Sequence, residues 1–200
     1  MNDIQIKLQN AVIEGSIVKF KDKITTKTIT QKLKNPINIY SPISLSVKNE
    51  EEWLRGCSHG WAKTIGGTYL EEVVAAVAPI AGWSVRKIGN KIDLENTNTK
   101  QTVMLKTQPS TANQSATMGD NQKAGQASQT GYTSYNIIFF KPNHENIIQT
   151  VFGYTKSDIE GIKQFLVNEF HEARTEYEKQ LKSHPLYNHV VRHLADTLKW

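Results

Sequence analysis

An α/β fold, with a mixed sheet of about five strands and helices on both faces, is predicted by three features of the sequence. Residues 64–80 place Ile65, Tyr69, Leu70, Val73, Val77 and Ile80 at helical spacing. Residues 92–106 alternate apolar and polar side chains around a turn, as a β-hairpin requires. Residues 157–177 return to the helical period through Ile162, Phe165, Leu166, Phe170, Ala173 and Tyr177. At 200 residues and 38% hydrophobic content, the chain is long enough for one domain with a real core.

Taken in order, residues 3–12 fit either a short amphipathic helix or an edge strand. From Ile13 to Ile29 the β-branched content predicts a strand and a basic loop, with Lys19, Lys21, Lys23, Lys27, Lys32 and Lys34 at short intervals. These lysines suit phosphate contacts, and equally a solvated strand edge kept from aggregating by charge. Asn35-Pro36 and Ser41-Pro42 make residues 35–47 irregular. Residues 48–55 read as helix and residues 56–60 as a loop. Cys57 and His59 in that loop lack an orienting third group, so Cys57 reads as a small buried hydrophobe rather than a nucleophile. The helix over 64–80 follows, ended by Pro79 and Gly82, then a strand over 83–88 and a tight turn at Gly89-Asn90.

Residues 135–141 and 147–154 read as buried central strands joined by a turn containing a solvated His144. Ser157 and Glu160 predict a capping box at the start of the long helix, and Pro185 separates that helix from a last one over 186–198. His184, His189 and His193 have no further ligand in sequence reach, which argues against zinc.

The hairpin concentrates the chemistry. Ile92 and Leu94 fall on one face and Asp93 and Glu95 on the other; Asn96-Thr97-Asn98-Thr99 turns the chain; Val103 and Leu105 then oppose Thr102, Met104 and Lys106. If both apolar sets face one core, Asp93 and Lys106 emerge together on the opposite face. One carboxylate beside one ammonium is what metal-dependent phosphodiester cleavage asks for.

Asp93, followed eleven positions later by Met104-Leu105-Lys106 and preceded by a helix bearing Glu71 and Glu72, resembles the PD-(D/E)XK nuclease superfamily, and within it the type II restriction endonucleases. The resemblance covers about residues 60–140. Lys106-Thr107-Gln108-Pro109-Ser110-Thr111-Ala112-Asn113 is similar to the lysine followed by Pro/Asn-x-Thr-x-Asn of several restriction enzyme families. It implies a restriction-endonuclease-like core and Mg²⁺-dependent cleavage of double-stranded DNA at a short site. It also implies a homodimer matched to a palindromic target, with Asp93 on the metal and Lys106 at the attacking water.

One position departs from the family pattern: Met104 stands where an acid or Gln is usual, and a thioether does not bind a hard cation. Glu71, Glu72 and Glu95 are the acids that could replace it, with Glu71 preferred by alignment. Thr68-Tyr69-Leu70-Glu71 also fits a capping box in which Glu71 only satisfies a backbone N–H. The alternative function is a non-catalytic DNA-binding protein that retains the nuclease-like scaffold.

Residues 107–133 change to Gln, Ser, Thr, Asn, Gly and Ala, with almost no large apolar side chain. A polar stretch after the lysine suits base reading, by Gln108, Ser110, Thr111, Asn113 and Gln114, with Lys123 placed for guanine or phosphate. A low-complexity loop without a role would have the same composition.

Twenty-four basic against 19 acidic residues, a formal charge of +5, suit a polyanionic partner. One cysteine excludes an internal disulfide and a Cys/His zinc cluster. With no signal peptide at the N-terminus and no apolar run near the length of about 20 residues that a membrane span needs, a soluble cytoplasmic protein is expected. The expected organisation is a single nuclease domain: a basic peripheral region over 1–60, a catalytic core over 61–154 and C-terminal helices over 155–200.

Overall fold

The computed structural model describes residues 2–13, 20–85, 93–106 and 131–200. The chain forms two compact units: Met1–Val18 with Gly66–Leu166, here the sheet unit, and Lys19–Ile65 with Val167–Trp200, here the helical unit. Among the described residues the fold is mixed α/β, with one mixed four-stranded sheet flanked by helices. The strands are β1 (Ser84–Val85), β2 (Leu94–Asn96), β3 (Gln101–Lys106) and β4 (Thr133–Ile138), side by side in chain order.

β1, β2 and β3 run antiparallel, and β4 lies parallel to β3. Leu94 pairs with Val103, Glu95 with Thr102 and Asn96 with Gln101. This is the register that keeps the apolar set together, because a slip of one residue would turn Leu94 or Val103 out of the core. The turn between β2 and β3 is built by its own side chain: Asn96 Oδ1 accepts from the amides of Asn98 (3.0 Å) and Thr99 (3.1 Å).

The helices are α1 (Asp3–Ile13), α2 (Thr26–Lys34), α3 (Pro42–Leu45), α4 (Glu50–Val77), α5 (Glu145–Phe152), α6 (Lys156–Ser183) and α7 (Tyr187–Leu198). Residues 3–12, open between helix and strand from sequence, are helical. Five expectations are corrected. Of the strand and basic loop expected from Ile13 onward, residues 14–19 lie outside the described residues, and residues 20–34 form a 3-10 turn (Phe20–Lys23) and α2. Thr25 starts α2 through a reciprocal box with Thr28, and Ile29 and Leu33 bury one turn apart, so capping and helical spacing outweigh β-branched composition.

Residues 56–60 are the middle of α4, a helix of 28 residues, not a loop. Gly56 and Gly60 each cost about 1 kcal/mol in a helix interior. Trp53, Leu54 and Cys57 are buried at helical spacing across that stretch, and their packing outweighs the penalty. The start of α4 is fixed at Asn49, whose Oδ1 accepts from Glu52 N (2.9 Å). Thr68 therefore lies well inside α4, and the capping box expected there with Glu71 does not exist.

Residues 145–152 are α5, not a strand. Ile148, Val151 and Phe152 bury at i, i+3 and i+4, and Gly153 ends the helix at φ 69. The buried Trp83 indole donates to Val151 O at 3.1 Å, anchoring β1's entry to this helix. Finally, the long helix α6 is capped by Thr155 and Asp158 rather than by Ser157 and Glu160. Thr155 N donates to Asp158 Oδ2 (2.7 Å), and Asp158 N donates back to Thr155 Oγ1 (3.2 Å). Of the strand expected over 83–88, Ser84–Val85 is observed; the remainder and the Gly89-Asn90 turn lie outside the described residues.

The helical unit has its own core of Ile29, Leu33, Trp53, Leu54, Cys57, Tyr177, Leu181, Tyr187, Val190 and Leu194. Cys57 is buried there as a small hydrophobe, with burial pushing its thiol up to about 11, so it is not a nucleophile. His59 is exposed on the helix.

Candidate active site

Alternation along β2 and β3 sends Asp93, Glu95, Thr102, Met104 and Lys106 to one face of the sheet, as the sequence predicts. The pairing of Thr102 with Ser134 across β3 and β4 marks the same face, through a 2.5 Å hydrogen bond between their hydroxyls. Asp93 is held at this face by two contacts with β3. Its amide donates to Val103 O (3.0 Å), and its carboxylate Oδ2 accepts from Leu105 N (2.6 Å). That second bond fixes the Asp93 carboxylate against the residue before Lys106.

α4 supplies the second acid. Leu70, Val73, Val74 and Val77 are fully buried, which sets the rotation of the helix and leaves Glu71 and Glu72 half-buried beside the apolar stripe. Glu71 titrates at about 7, far above the ordinary 4.5. Burial is the largest cause; the Asp93 charge raises it further, Lys106 draws it down and Glu72 adds to the rise. The structure therefore brings Glu71, Asp93 and Lys106, far apart in sequence, into one electrostatic neighbourhood. Glu72 Oε2 is buried next to this group, and Glu95 lies half-buried on the Asp93 face.

Met104 fills the position between the acid and the lysine and is 7% exposed. It packs as an apolar side chain and offers no hard-cation ligand. The donor set that remains is two carboxyl groups, close enough for one charge to oppose ionisation of the other, with an ammonium alongside. A hard divalent cation relieves that repulsion, so Glu71 and Asp93 fit Mg²⁺. Among the described residues, no three His, Cys, Asp or Glu side chains gather as a complete metal ligand set. Water and phosphate oxygens commonly complete Mg²⁺ coordination.

Asn136 was not singled out by its sequence pattern, because residues 135–141 read only as an apolar strand. Its Cα pairs with Met104, and its exposed amide shares the face of Asp93 and Lys106. The register of β4 against β3 is the signal that finds it. Gln108, Ser110, Thr111, Asn113, Gln114 and Lys123 lie outside the described residues.

His144 lies in the turn after β4 but is half-buried rather than solvated: its Nδ1 accepts from Ile138 N (3.1 Å), and burial with the Lys141 charge holds its pKa below the usual value. His184 Nε2 lies 3.3 Å from Thr30 Oγ1, while His189 and His193 are exposed. No helix among the described residues is long and apolar enough to cross a membrane. No family model, curated protein or solved structure matches the chain.

Proposed function

We propose that the chain is a Mg²⁺-dependent nuclease that hydrolyses phosphodiester bonds of double-stranded DNA, in the manner of a type II restriction endonuclease. The observation that carries this reading is the convergence of Glu71, Asp93 and Lys106 at one end of the β2–β3 ribbon. Glu71 and Asp93 would hold the cation. When bound, Mg²⁺ supplies Lewis-acid polarisation of a phosphoryl oxygen and makes water a better nucleophile.

The chain's own groups do the rest. Glu71, whose pKa burial and the neighbouring Asp93 charge raise, would have to be deprotonated to hold a cation. Lys106 orients the attacking water and sets positive charge beside the oxygens that gain charge as water adds to phosphorus and the P–O ester bond breaks, with the proton that water loses passing to solvent and the departing alkoxide oxygen taking one from solvent. Asp93 is preorganised by Leu105 N, so its carboxylate needs no rearrangement. Residues 107–133, directly after Lys106, are proposed to read bases through Gln108, Ser110, Thr111, Asn113, Gln114 and Lys123. A homodimer would present one site to each strand of a palindrome.

The second reading is a DNA-binding protein without catalysis, and buried Met104 is the observation that favours it. Incubating supercoiled plasmid with the protein and Mg²⁺ separates the two. Wild-type protein should linearise or nick the plasmid. Asp93→Ala and Lys106→Ala should each lower cutting by about 10²–10³-fold or more, the scale of one lost charge-stabilising group, while keeping duplex binding. Cutting at the wild-type rate by both variants would refute the assignment; binding without any wild-type cutting would leave the second reading.

A further inference from the structure

We infer that residues 34–48 of the helical unit form a wedge that unstacks double-stranded DNA, with Tyr40 and Ile43 entering between base pairs and Lys34 and Lys48 on the flanking phosphates. The inference rests on the reading of the chain as DNA-binding, and it concerns a surface the proposed cleavage chemistry does not use.

Four large apolar side chains stand out of this short segment. Ile39 is 60% exposed, Tyr40 89%, Ile43 83% and Leu45 45%. Single exposed hydrophobics are ordinary; four within seven residues make a patch that calls for a partner.

The segment is also built to hold them out. Its entry is fixed where Trp53 Nε1 donates to Pro36 O (2.9 Å) and Ile37 packs on the unit's core. Its exit is fixed where Trp200 Nε1 donates to Val47 O (2.9 Å), with Val47 also packed on that core. Between these clamps the backbone satisfies itself. Asn38 Oδ1 accepts from Tyr40 N (3.0 Å), Asn38 O accepts from Ser41 N (3.0 Å), and Ser41 caps α3, with Pro42 in its first turn. A preorganised tip loses little entropy on insertion, which is what a wedge needs.

Charge chooses the occupant. Between Lys19 and Glu52 there are seven lysines and four acids, Asp22, Glu50, Glu51 and Glu52, which leaves a net charge of +3. Lys34 and Lys48 are exposed and flank the apolar tip in sequence; although Glu52 Oε2 accepts from the Lys48 amide (2.8 Å), the net positive charge would repel a second copy of the same surface and attract a polyanion. Asn35 and Asn38 are exposed among the apolar residues, and their side-chain N–H groups can donate to phosphate and sugar. Apolar side chains pressed between base steps, with cations on the adjacent phosphates, are how proteins kink a duplex. Tyr40 adds a ring that stacks on any base.

The test uses the full chain without Mg²⁺ and a set of random-sequence duplexes, each carrying 2-aminopurine at one position. Wild-type protein should raise the fluorescence several-fold at one or more positions, as unstacking requires. The double variant Tyr40→Ala/Ile43→Ala should leave it at the free-duplex level while keeping low-salt affinity within about tenfold, because phosphate contacts dominate that affinity. Both side chains are exposed, so circular dichroism of the variant should match wild type.

The inference is overturned if wild type binds without any fluorescence rise, or if the double variant keeps the rise. It is also overturned if the substitutions instead convert a sedimenting dimer to monomer, or abolish binding to phosphatidylserine vesicles, with unstacking unchanged. Unstacking without Mg²⁺-dependent cutting would remove the nuclease reading alone; cutting without unstacking would remove the wedge alone.

Discussion

The two units carry opposite electrostatic designs. The sheet unit has 10 basic and 10 acidic residues, whereas the helical unit has 14 and 9, so the whole net charge of +5 resides in the helical unit. In the sheet unit the charge that matters is local and frustrated, with Glu71 kept near neutral by burial and by Asp93. In the helical unit it is diffuse and exposed: Lys21, Lys27, Lys34 and Lys48 lie on the surface. A half-buried carboxyl pair is costly for folding and useful for holding a cation, while scattered surface lysines cost little and serve any polyanion. Under the proposed function, chemistry and grip fall to different parts of the chain.

The contrast can be tested from either side. The largest expected effect is on the helical core: Trp53 is 3% exposed, its ring lies 6.1 Å from that of Tyr187, and its indole N–H holds Pro36 O. Trp53→Ala should cost about 3–5 kcal/mol, read as a lower denaturant midpoint, because a large cavity and a lost hydrogen bond combine. An effect below about 1 kcal/mol would contradict the packing described.

In the sheet unit the expected effect is smaller and of opposite sign. Glu71's folded pKa of about 7 exceeds the unfolded value near 4.5, so the stability it gives is complete below about pH 4.5 and lost as the pH rises toward 7. Glu71→Gln stays neutral and should stabilise the metal-free protein at pH 8 by about 1–2 kcal/mol, allowing for solvent screening. At pH 4 the difference should vanish. Thermal melts at the two pH values check this, and a Gln variant equally destabilised at both would contradict it.

The smallest effect separates the lysines. Lys23→Gln with Lys27→Gln should lower the salt slope of duplex binding by about 2, whereas Lys156→Gln with Lys163→Gln in the sheet unit should leave it unchanged. Equal slopes for both pairs, from binding titrations at several salt concentrations, would dissolve the division.

How much of this was legible in the sequence depends on range. The ribbon bearing Asp93 and Lys106 is readable because strand alternation is local and Asn96 makes the turn with its own side chain. The middle of α4 is not, because glycine at 56 and 60 argues locally for a loop and only burial of Trp53 and Cys57 in a core drawn from distant helices overrules it. α5 is missed because Ile147-Ile148 and Val151 are β-branched, and the decisive 148/151/152 spacing with Gly153 is shorter than a periodicity window. Glu71's neighbours depend on how α4 turns against the sheet, and Asn136's on the parallel register of β4; neither is encoded in nearby residues.

The pairing of Glu71 with Asp93 is tested most directly by following the Glu71 carboxyl signal with pH, using ¹³C-labelled glutamate and Glu71→Gln to assign it, with and without Mg²⁺. A midpoint of about 7 is expected in metal-free protein, dropping when Mg²⁺ is added and when Asp93→Ala removes the neighbouring charge. A midpoint at the ordinary glutamate value, unmoved by Mg²⁺ or by Asp93→Ala, would contradict it.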